Sequence, residues 1–222
     1  MRAKLFTAIC PVLCFALLTG SEQRVNAQPH GGRVITVGDG RPDLNFVGQF
    51  ISVTTTSPAT SHQYGYLSKI EGIDNVFNSS TVKDETTAMF TFSTYATDTQ
   101  LVANGPLRSR SRKGTTTIYF HSEGGASFAD PSSFEVGIPI QVSDYDQQVL
   151  IDPSVAFPFE SINLNTVTST ESFVLNGERL RLGREQDAYR TQFFAYLNLG
   201  TNPQTGYFIG NAVGVSRNSD HK

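Results

Sequence analysis

Basic residues are concentrated in one short segment of an otherwise acidic chain. Residues 107–114 read LRSRSRKG and contain Arg108, Arg110, Arg112 and Lys113. If this segment is a strand, the three arginines project from one face, because alternate side chains point to opposite sides. Such a cluster can bind sulfate, phosphate, a uronic-acid glycan or an acidic partner. Alternatively, the positive charge protects an exposed edge strand from pairing with another sheet.

A second candidate surface combines one histidine with two tyrosines. Residues 62–66 read HQYGY, so His62, Tyr64 and Tyr66 share one face of a strand. Tyrosines with polar neighbours can form a pocket for a carbohydrate or another small ligand. Packing of half-buried tyrosines against a sheet is the alternative explanation.

The other polar residues carry no catalytic or metal-binding signature. His62 and His121 could share a metal only if their strands paired, and the chain has no His-x-His or His-x-x-x-His spacing. The chain has no Gly-x-Ser-x-Gly motif, so the sequence does not favour a serine hydrolase of that type. Asp144 and Asp146 would lie roughly 7 Å apart on one strand face, which suits a solvated face as well as glycosidic chemistry. We therefore predict no catalytic residue, no metal and no cofactor.

The N-terminal residues have the layout of a secretory signal peptide. Arg2 and Lys4 precede an apolar run at residues 5–18, and Val25-Asn26-Ala27 fits a cleavage site. The apolar run is shorter than the ~20 residues that span a bilayer. We therefore expect cleavage after Ala27, export to an extracellular or periplasmic location, and no stable membrane insertion of the mature chain.

Cleavage would also change the cysteine content and the charge. Cys10 and Cys14 both lie in residues 1–27, so the mature chain is expected to lack disulfides, thiol nucleophiles and thiolate metal sites. Removal of three basic residues and one acidic residue leaves 14 basic (17 − 3) against 19 acidic (20 − 1) residues, a net charge of −5. A mildly acidic chain argues against a nucleic-acid partner.

Short runs of Thr, Val, Ile, Phe and Tyr between turn residues predict a single all-β domain at residues 44–216. Asn176-Gly177 is a strong hairpin signal, and no sustained helical periodicity occurs, although one helical turn fits residues 73–77 or 131–134. The candidate strands are residues 44–56, 62–70, 86–97, 100–108, 115–121, 138–151, 159–170, 172–175, 179–182, 189–199 and 206–215.

About ten antiparallel strands predict either one closed barrel or a two-sheet sandwich. The barrel is slightly favoured, because the alternate positions 208, 210, 212 and 214 of the last strand are mostly small, as a curved sheet requires. The Gly- and Pro-rich residues 28–43 predict a flexible leader, and residues 217–222 predict a disordered tail.

A signal peptide followed by short Thr-, Phe- and Tyr-rich strands resembles the small secreted barrels of the allene-oxide-cyclase and dirigent group. This likeness is one of architecture, which does not fix activity. The sequence favours a non-catalytic module that binds an acidic or carbohydrate-like extracellular or periplasmic ligand through the basic segment or the His62/Tyr64/Tyr66 face.

The alternative function is that of a small barrel enzyme, an isomerase or a lyase that acts on an apolar molecule in the lumen. It requires a deep pocket with a polar pair at its floor, such as a tyrosine with a carboxylate. No feature of the sequence specifies an oligomeric state.

Overall fold

The computed structural model describes residues 33–35, 42–152, 159–198 and 200–214. The chain divides into two compact units, and all described residues belong to the second, Gly31–Lys222. The predicted signal peptide and the predicted tail lie outside the described residues. Among the residues that are described, no helix is long and apolar enough to cross a membrane.

The described part of the chain is built almost entirely from strands, as the alternation of apolar and polar residues predicts. One 3-10 helix, Pro131–Glu135, begins after Asp130, whose side chain accepts a hydrogen bond from the Ser132 amide. The strands are β1 (Arg33–Ile35), β2 (Pro42–Val53), β3 (Thr60–Ile70), β4 (Phe90–Asn104), β5 (Leu107–Phe120), β6 (Ile138–Ile151), β7 (Phe159–Thr170), β8 (Ser172–Leu175), β9 (Glu178–Leu182), β10 (Ala188–Asn198) and β11 (Gln204–Gly214).

Eight of these strands close into one antiparallel barrel. Their order around the barrel is β10-β11-β2-β3-β4-β5-β6-β7, and β7 pairs with β10 to complete the ring. The barrel prediction is therefore confirmed over the sandwich alternative. Because the ring is closed, each barrel strand has a hydrogen-bonded neighbour on both sides.

The β4–β5 hairpin differs from the sequence prediction. Residues 90–104 form one strand, and the chain turns at Gly105-Pro106 into β5, so the separate strand predicted at residues 100–108 is wrong. The basic segment consequently lies within a strand and not in a loop. A further difference is β1, which forms within the Gly- and Pro-rich leader and pairs in parallel with β9.

Aromatic rings fill the middle of the barrel. Phe46 makes edge contacts with Phe92 and Phe208 at ring-centroid distances of 5.9 and 6.1 Å, and Phe208 lies 4.7 Å from Phe193. Gly210 allows this packing, because a Cβ atom there would lie 2.6 Å from the Phe193 Cβ and 2.3 Å from a backbone oxygen of β10. The small residues of the last strand therefore do bring neighbouring groups close together, as the sequence predicts.

A three-stranded sheet, ordered β1-β9-β8, packs against one end of the barrel. Phe173 of β8 contacts the rings of Phe90 and Phe120 at 5.5 and 4.9 Å. The β8–β9 turn is the predicted Asn176-Gly177 hairpin, with positive φ angles of 52° and 81°, as a type I′ turn requires. The small sheet covers this end of the barrel, and the β4–β5 hairpin with the basic segment lies at the opposite end.

Candidate functional site

The basic segment divides between the two faces of β5. Arg110 and Arg112 alternate with Ser111 and Lys113, and their side chains face into the barrel at the end away from the small sheet. Arg112 has only 7% of its side chain exposed, whereas Lys113 is 74% exposed on the outer face and forms an ion pair with Asp146 at 3.3 Å. The predicted alignment on one face is confirmed for Arg110 and Arg112. The protective explanation is wrong, because β5 is not an edge strand but pairs with both β4 and β6.

Arg108 occupies the rim of the same barrel end. Its guanidinium Nη1 donates to the carbonyl oxygens of Gly105 and Leu107 at 2.7 and 2.9 Å. These bonds hold Arg108 against its own hairpin turn. The inward-facing charge therefore comes from Arg110 and Arg112, and we call the barrel end lined by these two residues the arginine mouth.

One carboxylate lies between the two guanidinium groups of the arginine mouth. The Arg112 Nε donates to Asp98 Oδ1 at 2.7 Å, and the Arg110 Nε lies 3.2 Å from Asp98 Oδ2. Asp98 lies directly opposite Arg112 in β4, next to a bulge before Gln100. Two positive groups thus share one negative group at this position.

Arg110 is the less satisfied of the two arginines. Its buried Nε lacks a hydrogen bond, and no side-chain hydrogen bond from Arg110 occurs within the described part of the chain. Burial lowers the pKa of Arg110, Asp98 opposes this effect, and the positive charge of Arg112 reinforces it. Because 18% of the Arg110 side chain is exposed, this guanidinium is also the one that solvent reaches.

A polar network extends from Arg112 into the barrel. Gln147 is its centre: its Oε1 accepts from Arg112 Nη1 and Gln63 Nε2, and its Nε2 donates to Tyr145 and Ser161. The Tyr145 hydroxyl in turn donates to Gln63 Oε1 at 3.1 Å. Burial raises the pKa of Tyr145, so its hydroxyl stays protonated and acts as a hydrogen-bond donor at neutral pH.

The network separates two small cavities. The cavity at the arginine mouth has a volume of about 40 Å³ and is lined by both arginines, Ser52, Ser61, Gln147 and Phe159, among others. The deeper cavity, about 50 Å³, lies beside Tyr145, Asn163, Thr191 and the phenylalanine cluster. Since a water occupies at least about 10–15 Å³ on this measure, each cavity has room for a few waters or one small polar group.

A barrel enzyme that acts in the lumen would need a tyrosine next to a carboxylate at the floor of its pocket. The described residues that line the two cavities include no such pair. Tyr145 is bonded to the amides of Gln63 and Gln147, and Tyr189 donates to Gln141 Oε1 at 2.7 Å. The described residues that line the deeper cavity include no carboxylate that could act as its general acid or base.

The three residues of the histidine–tyrosine face do project together from β3, on the outside of the barrel. Tyr64 and Tyr66 are buried there beneath the segment that contains the 3-10 helix. The Tyr64 ring lies 5.4 Å from Phe134, and the Tyr66 ring lies 6.3 Å from Phe128. Packing therefore accounts for both tyrosines, and their contact with a ligand stays a prediction.

His62 belongs to a polar cluster that the sequence does not reveal. Ser93 Oγ donates to Glu135 Oε1 at 2.9 Å and lies 2.9 Å from His62 Nε2, and the Tyr95 hydroxyl donates to the same Glu135 oxygen at 2.6 Å. Burial lowers the pKa of His62, whereas burial and the bond to Glu135 raise that of Tyr95 to about 12. In a hydrolytic triad the serine proton passes to histidine; here the Ser93 hydroxyl lies 2.9 Å from both the imidazole nitrogen and the carboxylate oxygen.

The remaining sequence candidates do not assemble into a site. His121 lies just beyond β5, which is separated from β3 by β4, and its Nδ1 is 2.7 Å from the Gly124 carbonyl oxygen. Asp144 and Asp146 are exposed on the outer face of β6. Within the described ranges, no group of three or more His, Cys, Asp or Glu side chains could hold a metal ion.

The arginine mouth is thus the place where buried charge, an unsatisfied guanidinium and a cavity coincide. Comparison of the chain with known protein families, with curated proteins and with solved structures finds no match. What is established is the architecture: a closed eight-stranded antiparallel β-barrel with a small second sheet at one end and two inward-facing arginines at the other.

Proposed function

We propose that this protein is a non-catalytic binding module whose arginine mouth receives the anionic end of a small ligand. The observation that carries the proposal is that Arg110 and Arg112 face into the barrel and share the single carboxylate of Asp98. A half-buried guanidinium without a hydrogen bond gains a charge-assisted bond when a carboxylate, sulfate or phosphate group enters. The ligand adds a second negative charge and further acceptor oxygens where two guanidinium groups share one carboxylate.

The size of the mouth cavity sets the class of ligand. About 40 Å³ accommodates a single carboxylate or oxyanion group in place of water, not a whole substrate. Phe159, Val149 and Ile151 line the same cavity, so the group next to the anion can be apolar. An acidic ligand is favoured over a neutral carbohydrate, because the tyrosines that would stack on a sugar ring are buried.

The small cavities also support binding over catalysis in the lumen. An isomerase or lyase acting on an apolar molecule would need a pocket of several hundred cubic ångströms, and the interior here is divided by the Gln147 network. The Tyr145 hydroxyl of that network is bonded to two amides, and the described residues that line the cavity beside it include no carboxylate.

The test uses thermal unfolding in phosphate and in benzoate, each against chloride at equal ionic strength. A ligand that binds only the folded state raises the free energy of unfolding by RT ln(1 + [L]/Kd), about 2.7 kcal/mol at 100 times Kd. We expect this gain in the native protein and its loss in Arg110→Gln. Lys113→Gln is the matched control, because it removes a charge from the same segment on the outer face and should keep the gain.

Arg110→Gln removes the 3.2 Å ion pair with Asp98 but leaves Asp98 its 2.7 Å hydrogen bond from Arg112. We therefore expect a folded but less stable variant, whose fold circular dichroism checks, and the gain of each protein is measured against the same protein in chloride. Equal stabilisation of all three proteins by the anions would indicate a general salt effect and would refute the proposed site. Absence of any stabilisation of the native protein would refute it as well.

A further inference from the structure

Asp98 is a fixed negative charge beside the arginine mouth. It lies opposite Arg112 on β4, and its backbone amide donates to the Ala59 carbonyl oxygen at 2.8 Å. A β-bulge between Asp98 and Gln100 shifts the register directly after it, and bulges of this kind commonly aim a side chain. Its carboxylate is only 16% exposed and contacts the guanidinium groups of both Arg110 and Arg112. The backbone thus holds Asp98 against the two arginines.

The charges around the mouth cavity do not balance. Arg110 and Arg112 are the charged side chains among the described residues that line it, and Asp98 contacts both arginines without lining the cavity itself. Two positive charges and one negative charge leave a net charge of +1 (2 − 1) at this position. A ligand with one negative charge neutralises the cluster, whereas a ligand with two makes it net negative.

This balance affects the choice of ligand because the walls of the cavity are buried. Gln63 and Gln147, which line it, are each 4% exposed, and the Arg112 side chain is 7% exposed. The cost of removing an ion from water rises with the square of its charge, whereas its attraction to fixed charges rises only in proportion to the charge. A dianion therefore has about four times the dehydration cost of a monoanion but only about twice the attraction.

Apolar side chains form much of the remaining lining of the mouth cavity. They come from β2, β6, β7 and β10 and comprise Phe50, Val149, Ile151, Phe159, Phe193 and Leu197. The Phe159 ring contacts those of Phe50 and Phe193 at centroid distances of 5.5 and 6.4 Å. Such side chains offer no hydrogen bonds to the second charge of a dianion, but they can contact the hydrocarbon part of an organic ion.

We infer, on the basis of the proposed anion site, that the arginine mouth selects a small organic monoanion, such as a carboxylate with an apolar group, and that Asp98 sets this selectivity. Asp98 repels every anion that enters. For charges about 8 Å apart at an effective dielectric constant of about 20–40, this repulsion weakens binding roughly tenfold per ligand charge. A monoanion loses this factor once and a dianion loses it twice. Asp98 thereby discriminates against the more highly charged ligand.

The test compares methanesulfonate with sulfate, two tetrahedral oxyanions that carry one and two negative charges at neutral pH. The Kd of each is measured by nuclear magnetic resonance titration at constant ionic strength, with chloride as the balancing ion. In the native protein, methanesulfonate should bind about tenfold or more tightly than sulfate. In Asp98→Asn, the affinity for methanesulfonate should rise about 10-fold and that for sulfate about 100-fold, so the preference for the monoanion should shrink about tenfold.

Asp146→Asn is the matched control, because it removes a carboxylate from the exposed pair with Lys113 on the outer face and should keep the native preference. Circular dichroism checks that both variants are folded. Sulfate that binds the native protein as tightly as methanesulfonate overturns the selectivity but leaves the anion site standing, whatever the stability of Asp98→Asn. An unchanged preference in folded Asp98→Asn overturns the role of Asp98. Failure of both anions to bind the native protein refutes the proposed function itself.

Discussion

Arg112 and Lys113 are adjacent cations on opposite faces of one strand, and their replacement by methionine should have very different effects. In Arg112→Met, Asp98 loses a 2.7 Å charge-assisted bond inside the barrel, and Gln147 loses a donor. Removal of one partner from a buried ion pair costs about 3–5 kcal/mol. Asp98 keeps Arg110 at 3.2 Å, so we expect the lower end of that range, about 3 kcal/mol.

In Lys113→Met, the lost ion pair with Asp146 is exposed and lies on the outer face. Exposed pairs contribute about 0.2–1 kcal/mol, so the free energy of unfolding should fall by no more than about 1 kcal/mol. For a chain of this size, 1 kcal/mol shifts Tm by about 2–4 °C. The expected decreases in Tm are therefore about 6–12 °C for Arg112→Met and at most about 4 °C for Lys113→Met.

Urea unfolding of both variants measures this difference directly, and Asp98→Asn completes a double-mutant cycle with Arg112→Met. A direct contact predicts a coupling energy of about 1–3 kcal/mol between positions 98 and 112. Similar small losses for Arg112→Met and Lys113→Met, with no coupling to Asp98, would refute the inward orientation of Arg112.

Two further predictions concern the buried network and the histidine cluster. Tyr145→Phe removes a donor to Gln63 and an acceptor for Gln147, and should lower the free energy of unfolding by about 2–3 kcal/mol; a urea titration showing no loss would contradict the network. Burial lowers the pKa of His62 below 6.5, so the unfolded chain takes up the proton first as pH falls. Stability should therefore decline below about pH 6.5, and His62→Gln should flatten the decline; an unchanged slope in pH-dependent urea unfolding would contradict this.

The sequence predicts the strands well where alternation and turn residues agree. The bounds of β6, β7 and β8 match their predictions, and Asn176-Gly177 forms the expected hairpin. At residues 100–108 the prediction is wrong, because the turn at Gly105-Pro106 divides that segment between β4 and β5. That turn also places the arginines within β5.

Which face of a strand points inward is harder to predict here. In β7, Ser161, Asn163 and Asn165 face the interior, whereas Ile162 and Leu164 are exposed. A rule that places apolar residues inside would assign the opposite orientation. The inversion follows from the Gln147 network, whose members come from β3, β5, β6 and β7 and are far apart in sequence.

The residues that pair with the candidate site residues are also far from them in sequence, so the sequence does not predict these pairs. Arg110 and Arg112 are visible as candidates, but Asp98 becomes their partner only through the register of β4 against β5. Glu135 likewise reaches His62 and Tyr95 from a 3-10 helix that follows β5. Both contacts depend on tertiary pairing, for which local residue patterns carry no signal.

We propose that the arginine mouth binds an anion through Arg110. Nuclear magnetic resonance of the arginine Nε–Hε groups tests it during a titration with sulfate at constant ionic strength. The Arg110 resonance should shift and saturate, whereas that of Arg190, exposed on the outer face of β10, should stay in place. An unmoved Arg110 resonance, or equal unsaturated shifts of both arginines, would contradict the claim.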